Sequence, residues 1–409
     1  MSDRNPPTLS RLLEEARATG TDSEDPQVIV LGASPVGLGG PADRRTFIRR
    51  ASALGLIVPG LGALSACQPD DGRDEGHDDD AQRPGGDTTG ASTRARQGSG
   101  NSNSRLDSAL VQNAPHDPTT GIDSAAVTNA QFQRYAPELP PLPAGGTQKL
   151  NWHARHVPLR IGPSTVIAAW TFEGNVPGPI VHTRVGDTVE FTLTNDELMP
   201  HSMDFHAAQI DPKTAFRSVP QGESISFTFK PRFAGAFMYH CGTAPVLMHI
   251  GSGMYGAIVV SPREPLPPAR EFVLVQSEFY LTDAVNGLRS PDYSKMLSTN
   301  PDFVAFNGRP DQYITAPIRV KVGDRVRFWV VNAGPSHPCN FHVVGEQFDT
   351  MYLGAPPGSP IRGVQTWDVP PGGGMCFELQ CDVAGEFPFV NHGFGHGQKG
   401  GIGFLLVEP

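Results

Sequence analysis

The stretch Thr183-Arg-Val-Gly-Asp-Thr-Val-Glu-Phe-Thr-Leu-Thr-Asn195 turns at Gly186-Asp187, then alternates apolar and polar residues from Val189 to Asn195. That period of two after a turn marks a strand with one buried face. Ile318-Arg-Val-Lys-Val-Gly-Asp-Arg-Val-Arg-Phe-Trp-Val-Val-Asn332 repeats the plan, with the same Val-Gly-Asp and the same closing Asn. Ser224-Ile-Ser-Phe-Thr-Phe-Lys230 alternates likewise, and Phe237–His240 and Gly256–Val260 are further short strands between Gly/Pro turns. Ala384-Gly-Glu-Phe-Pro-Phe-Val-Asn-His392 echoes Ala234-Gly-Ala-Phe-Met-Tyr-His240, which sets His392 against His240. Echoes roughly 140–150 residues apart mean a duplicated domain and not a short-repeat solenoid. The expected fold class is all-β, two tandem Greek-key β-sandwich domains at residues 147–265 and 266–409, with the boundary near Pro265–Arg270.

Composition agrees. Gly (46) and Pro (40) make about a fifth of the 409 residues and only 18% are charged, as suits strands joined by many turns. The net charge of -10 argues against a nucleic-acid partner, since phosphate binders carry a basic face. It does not exclude a small anion, which a local metal can attract.

The first 146 residues read as address and tether. Arg44-Arg-Thr-Phe-Ile-Arg49 resembles a twin-arginine export signal, Ala51–Ala66 is a short Gly-rich apolar run, and Leu64-Ser-Ala-Cys67 looks like a bacterial lipobox. Residues 1–67 are therefore expected to be an N-terminal extension and signal, with Cys67 lipidated. The protein is then exported, periplasmic or at the cell surface, and lipid-anchored to a membrane, the outer membrane by preference. Several acyl chains at about 0.8 kcal/mol per buried CH₂ anchor durably. Residues 68–146, with the acidic run Asp70–Asp80 and Gly98-Ser-Gly-Asn-Ser-Asn-Ser104, are too polar to offset their ordering entropy and read as a disordered linker.

His240-Cys-Gly-Thr-Ala-Pro-Val-Leu-Met-His-Ile-Gly-Ser-Gly-Met254 carries the chemistry. Cys241, His249 and Met254 are spaced C-x₇-H-x₄-M. A blue-copper centre needs one thiolate, two imidazoles and a weak axial thioether. One loop supplies three of these, and His201, after the strand ending at Asn195, is the candidate for the fourth. Any one of them alone would read as an ordinary core residue; four together on a cupredoxin-like strand pattern do not.

Neighbouring side chains of a strand face opposite ways. With Cys241 inside, His240 faces out. Positions 201 and 206 differ by an odd number, so His206 joins His240 outside while His201 joins Cys241. The outer pair is half of a second metal site, and the Cys241–His240 peptide bond links the two sites covalently. Asp204 shares the parity of His206 and is the candidate acid/base. A third ligand must come from another surface, where His337, His342, His392 and His396 are available. No Cys-His-rich loop recurs in the second domain.

These residues resemble the copper-containing nitrite reductases over about residues 147–409. The resemblance rests on Met199-Pro-His-Ser-Met-Asp-Phe-His206, His240-Cys…His249…Met254, Phe303-Val-Ala-Phe-Asn-Gly308, Phe341-His-Val-Val-Gly345 and Val390-Asn-His392. It implies two coppers per chain: type 1 on His201, Cys241, His249 and Met254, and type 2 on His206, His240 and His392. It implies catalytic roles for Asp204 and His342 and places Val344 in the substrate pocket. The seven residues between Cys241 and His249 look like the lipid-anchored outer-membrane variant of the family. The implied activity is one-electron reduction of nitrite to nitric oxide, with a cytochrome c or cupredoxin as donor. The implied assembly is a homotrimer in which His392 reaches a neighbour's site. Cys339, Cys376 and Cys381 lie outside the family pattern and leave room for a local disulfide. The rivals are a multicopper oxidase, which needs His-x-His pairs and His-Cys-His motifs absent from this sequence, an electron-transfer cupredoxin, which leaves His206, Asp204, His342 and His392 unexplained, and a two-copper enzyme acting on oxygen or hydroxylamine.

Overall fold

The computed structural model describes Thr119 and residues 122–409, which belong to one compact unit. The signal, Cys67 and most of the tether lie outside the described residues. Four sheets make two sandwiches. In the first, a sheet ordered Leu288–Arg289, Val166–Phe172, Thr147–Arg160, Thr188–Asn195 and Ser224–Phe229 faces one ordered Val181–Arg184, Tyr255–Ser261, Gly235–His240 and Asp204–Phe205. In the second, six strands centred on Arg270–Phe279, Arg325–Gly334 and Gly374–Gln380 face five centred on Ile402–Glu408, Gly385–Asn391 and Cys339–Val343. Residues 262–269 connect them.

Thr188–Asn195 follows its alternation: Val189, Phe191 and Leu193 are buried in the first core with Trp152, Phe205 and Tyr239, while the residues between them are half-exposed. Arg325–Gly334 does not, being buried along nearly its whole length. Val326, Phe328 and Val330 enter the second core, whereas Trp329 and Val331 enter a third core between the sandwiches. That third core takes Ala236 and Met238 from the outer face of Gly235–His240, and Phe237 and Tyr239 of the same strand face inward. The strand's two faces are thus both committed before it reaches His240 and Cys241.

The segment from Ile122 to Gly146, expected as the end of the linker, is instead packed. Asp123 caps the helix Ser124–Asn129 by accepting from the Ala125 N–H, and Val127 packs on Val166, Ala168 and Leu288. Burying such a side chain contributes about 2 kcal/mol. Tyr135 donates to the Gly178 carbonyl at 2.7 Å, and Leu139 donates its N–H to Glu271 O at 3.0 Å and joins the third core. The buried Arg309 guanidinium grips the segment through the Gln133 carbonyl (2.9 Å) while also bonding Val176 O and Asn175 Oδ1. A few apolar anchors spaced along a polar stretch suffice to order it.

The duplication is visible in hydrogen bonds. Asn195 Nδ2 donates to the carbonyls of Met199 and Val219, and Asn332 Nδ2 to those of His337 and Val369. Cys241 N–H donates to Met254 O and Met254 N–H to His249 O; Asn391 N–H donates to Gly401 O and Gly401 N–H to His396 O. Positions 201, 241, 249 and 254 therefore correspond to Cys339, Asn391, His396 and Gly401. This corrects the expected match of His392 to His240: Val390 holds that place, and His392 corresponds to Gly242. An amide and a hydrogen atom stand in the second sandwich where the first has a thiol and a thioether.

Candidate metal centres

His201, Cys241, His249 and Met254 are all fully buried. Cys241 Sγ lies 3.2 Å from His249 Nδ1 and 4.0 Å from His201 Nδ1, and the two Nδ1 atoms are 3.2 Å apart. Bonds of roughly 2.0–2.3 Å to one central ion leave donor atoms about this far from each other, so the donor set fits a single small soft ion. The helix Val246–Gly251 carries His249, and Met254 is tied by its backbone to both Cys241 and His249.

Electrostatics support metal binding here. Burial pushes His201 and His249 down to about 4, which keeps both imidazoles neutral, as ligands must be. Burial alone would raise the Cys241 thiol. His201 and the N–H groups of Ser202 (3.3 Å) and Thr243 outweigh it and bring the thiol below its ordinary value. A thiol that is buried yet lowered is prepared as a thiolate ligand.

On the outer face, His240 Nε2 and His206 Nε2 are 3.1 Å apart. Each ring is anchored at Nδ1 by a backbone carbonyl: His206 on Gly372 O at 3.0 Å and His240 on Cys241 O at 2.9 Å. Carbonyls only accept, so both Nδ1 atoms carry hydrogen and both Nε2 lone pairs are free for a metal. Asp204 is directly opposite His240 in register, with Oδ2 3.9 Å from His240 Nε2. Burial, more than the neighbouring charges, lowers the His240 pKa. Asp204, His206 and His240 form the second metal-competent group among the described residues.

His342 and His392 meet elsewhere in the chain. Their ring centroids are 5.3 Å apart, His342 Nδ1 lies 2.5 Å from Gln365 O, and His392 is exposed against Phe394. Neither belongs to the His206–His240 group within one chain. Val344, half-buried, closes the strand pairing by donating to Pro388 O at 2.7 Å. His337 and His396 have ring centroids 4.4 Å apart with their planes tilted by 45°, and neither belongs to the two groups. Cys339, Cys376 and Cys381 are buried free thiols, so the local disulfide that the sequence left room for does not form.

Three residues near the buried site escaped sequence reading. His156 Nε2 is 3.0 Å from His201 Nε2, its ring stacks on Trp170 at 5.0 Å, and Trp170 stands edge-on to His249 at 4.9 Å. Glu197 accepts the His156 backbone N–H at 2.8 Å. Burial, with His249 adding to it, pushes His156 down to about 3.

Two sandwiches, with a Cys-His₂ pocket inside one and a histidine pair on its rim, define a two-domain cupredoxin. The profile of the family described as multicopper oxidase matches residues 156–265. A copper-containing nitrite reductase from Neisseria meningitidis serogroup B is 37% identical over 289 residues, 67% of this chain and 73% of that protein. The serogroup A protein of the same description is 40% identical over 249 residues, 58% of this chain and 64% of its own length. The solved copper nitrite reductase from Nitrosomonas europaea is 35% identical, with a TM-score of 0.60 over 64% of this chain and 94% of that one. The chain belongs to the copper-containing nitrite reductase family.

Proposed function

We propose that the protein reduces nitrite to nitric oxide and water, consuming one electron and two protons per turnover. The observation that carries this is the 3.1 Å pairing of His240 with His206 at the residue next to the buried Cys241. His201, Cys241, His249 and Met254 would hold type 1 copper, and His206 and His240, with His392 of a second copy, would hold type 2 copper. When bound, copper supplies the electron and an electrophilic seat for a nitrite oxygen. The chain's own groups do the rest. The Cys241–His240 linkage joins the sites, Asp204 delivers a proton to the oxygen that leaves as water, and His342, which lies beside His392 and so would come from the same second copy, serves the second. Val344 presents an apolar wall to the bound anion.

His392 lies outside the His206–His240 group of its own chain, which favours a homotrimer with each site completed by a neighbour. The Arg44–Cys67 stretch supports export and a lipid anchor, and the donor is a small redox protein, a cytochrome c or a cupredoxin. Anaerobic turnover of the copper-loaded protein with a chemical reductant, read by a nitric oxide electrode, tests the activity. Nitric oxide in proportion to nitrite consumed is expected; none from protein carrying both coppers rejects it.

A further inference from the structure

We propose that His156, backed by Glu197, is a positioning residue for the type 1 copper: it fixes the imidazole of His201 and makes it a stronger donor to the metal. The inference rests on His201 being a copper ligand. In that role His201 Nδ1, which faces Cys241 and His249, must be bare, so its hydrogen sits on Nε2 and points at His156 Nε2, 3.0 Å away. His156 must then accept there and carry its own hydrogen on Nδ1, where Glu197 Oε2 stands 3.6 Å off.

Each part of this relay is held. Glu197 Oε1 accepts the His156 N–H, the Glu197 N–H donates to Asn195 Oδ1 at 3.0 Å, and the His156 ring lies flat on Trp170 with 9° between planes. A carboxylate behind an imidazole behind a ligand raises the ligand's basicity. The second imidazole has nothing comparable, because the buried His249 Nε2 finds no hydrogen-bond partner among the described residues. The two ligands of one centre are therefore unequal, with His201 the electron-rich one. Stronger donation favours oxidised over reduced copper and lowers the midpoint potential.

The test uses the full copper-loaded protein and its variants His156→Phe, His156→Gln and Glu197→Gln, followed by spectroelectrochemistry of the thiolate-to-copper absorption and by copper titration. His156→Phe keeps a ring on Trp170 but offers no acceptor. It is expected to shift electron exchange with a fixed reference couple about tenfold toward reduced copper, 59 mV for one electron, and to weaken type 1 copper binding roughly 10–100-fold. Glu197→Gln should move the midpoint the same way by less, and His156→Gln, whose amide oxygen can accept from His201, should recover part of the loss. A wild-type midpoint and affinity in His156→Phe overturns the inference. Should that variant hold no copper, an unchanged midpoint in Glu197→Gln overturns it equally. Absence of the thiolate band in the copper-loaded wild type would instead remove the type 1 assignment itself.

Discussion

Asp204 and His342 occupy the same position in the two sandwiches. Each stands three residues beyond the corresponding His201 and Cys339, and they pair in register with His240 and Val390, themselves equivalent. The duplicated scaffold thus offers one outward position per domain, filled by a carboxylate in one and an imidazole in the other. Asp204→Asn keeps size and shape and removes the transferable proton. It should leave copper content and the thiolate absorption unchanged and lower turnover roughly 10²–10⁴-fold. Near-normal turnover with full metal content would take Asp204 out of the mechanism.

The two metal groups share a peptide bond but no ligand, so they should be separable. His206→Ala is expected to keep the thiolate-to-copper band, lose one copper per chain and lose turnover. Cys241→Ser should abolish the band and leave the His206–His240 pair in place. Metal analysis beside the absorption spectrum checks both, and loss of the band in His206→Ala would contradict the division of ligands.

Gly308 has φ +70°, and a Cβ there would come within 2.1 Å of the Val176 carbonyl oxygen, which also receives the Arg309 guanidinium. Neither backbone can give way cheaply. Gly308→Ala should cost about 3 kcal/mol, measured as a lowered denaturation midpoint; an unchanged midpoint would mean that the close approach relaxes freely.

Asp302 holds Arg289 at 2.8 Å and Lys295 at 3.0 Å, next to Met296, which packs against Gly251 of the His249 helix. Burial pushes its carboxyl up, but the Leu281 N–H and the Lys295 and Arg289 side chains outweigh it and hold it below the ordinary aspartate range. A carboxyl depressed on folding adds stability that is full above its ordinary value and fades as pH falls through the folded one. Asp302→Asn should lose about 2 kcal/mol near neutrality and show a flatter acid limb below about pH 4. Parallel acid limbs in wild type and variant, followed by chemical denaturation, would contradict this.

Much of the architecture was legible because it is periodic. The alternation at Val189–Asn195 sets one sandwich, and the odd spacing of His201 and His206 matches their falling into two different side-chain clusters. What escaped is non-local. His156 sits on a long strand with an irregular burial pattern and meets His201 across 45 residues, with no motif to announce it. The double burial of Arg325–Gly334 depends on a second sandwich packing over it, and the segment before Thr147 is ordered by contacts with both sandwiches. The misplaced match of His392 arose because the echo in sequence compared strand ends, whereas hydrogen bonds fix the correspondence two residues earlier.

The apolar layer that joins Ala236 and Met238 to Trp329 and Val331 has a calorimetric consequence. A seam as buried as the sandwich interiors couples the two halves, so heating should melt both in one endotherm with matching calorimetric and van't Hoff enthalpies. A lesion deep in the second sandwich would then disrupt the buried Cys241 pocket at the same temperature at which it unravels its own strands.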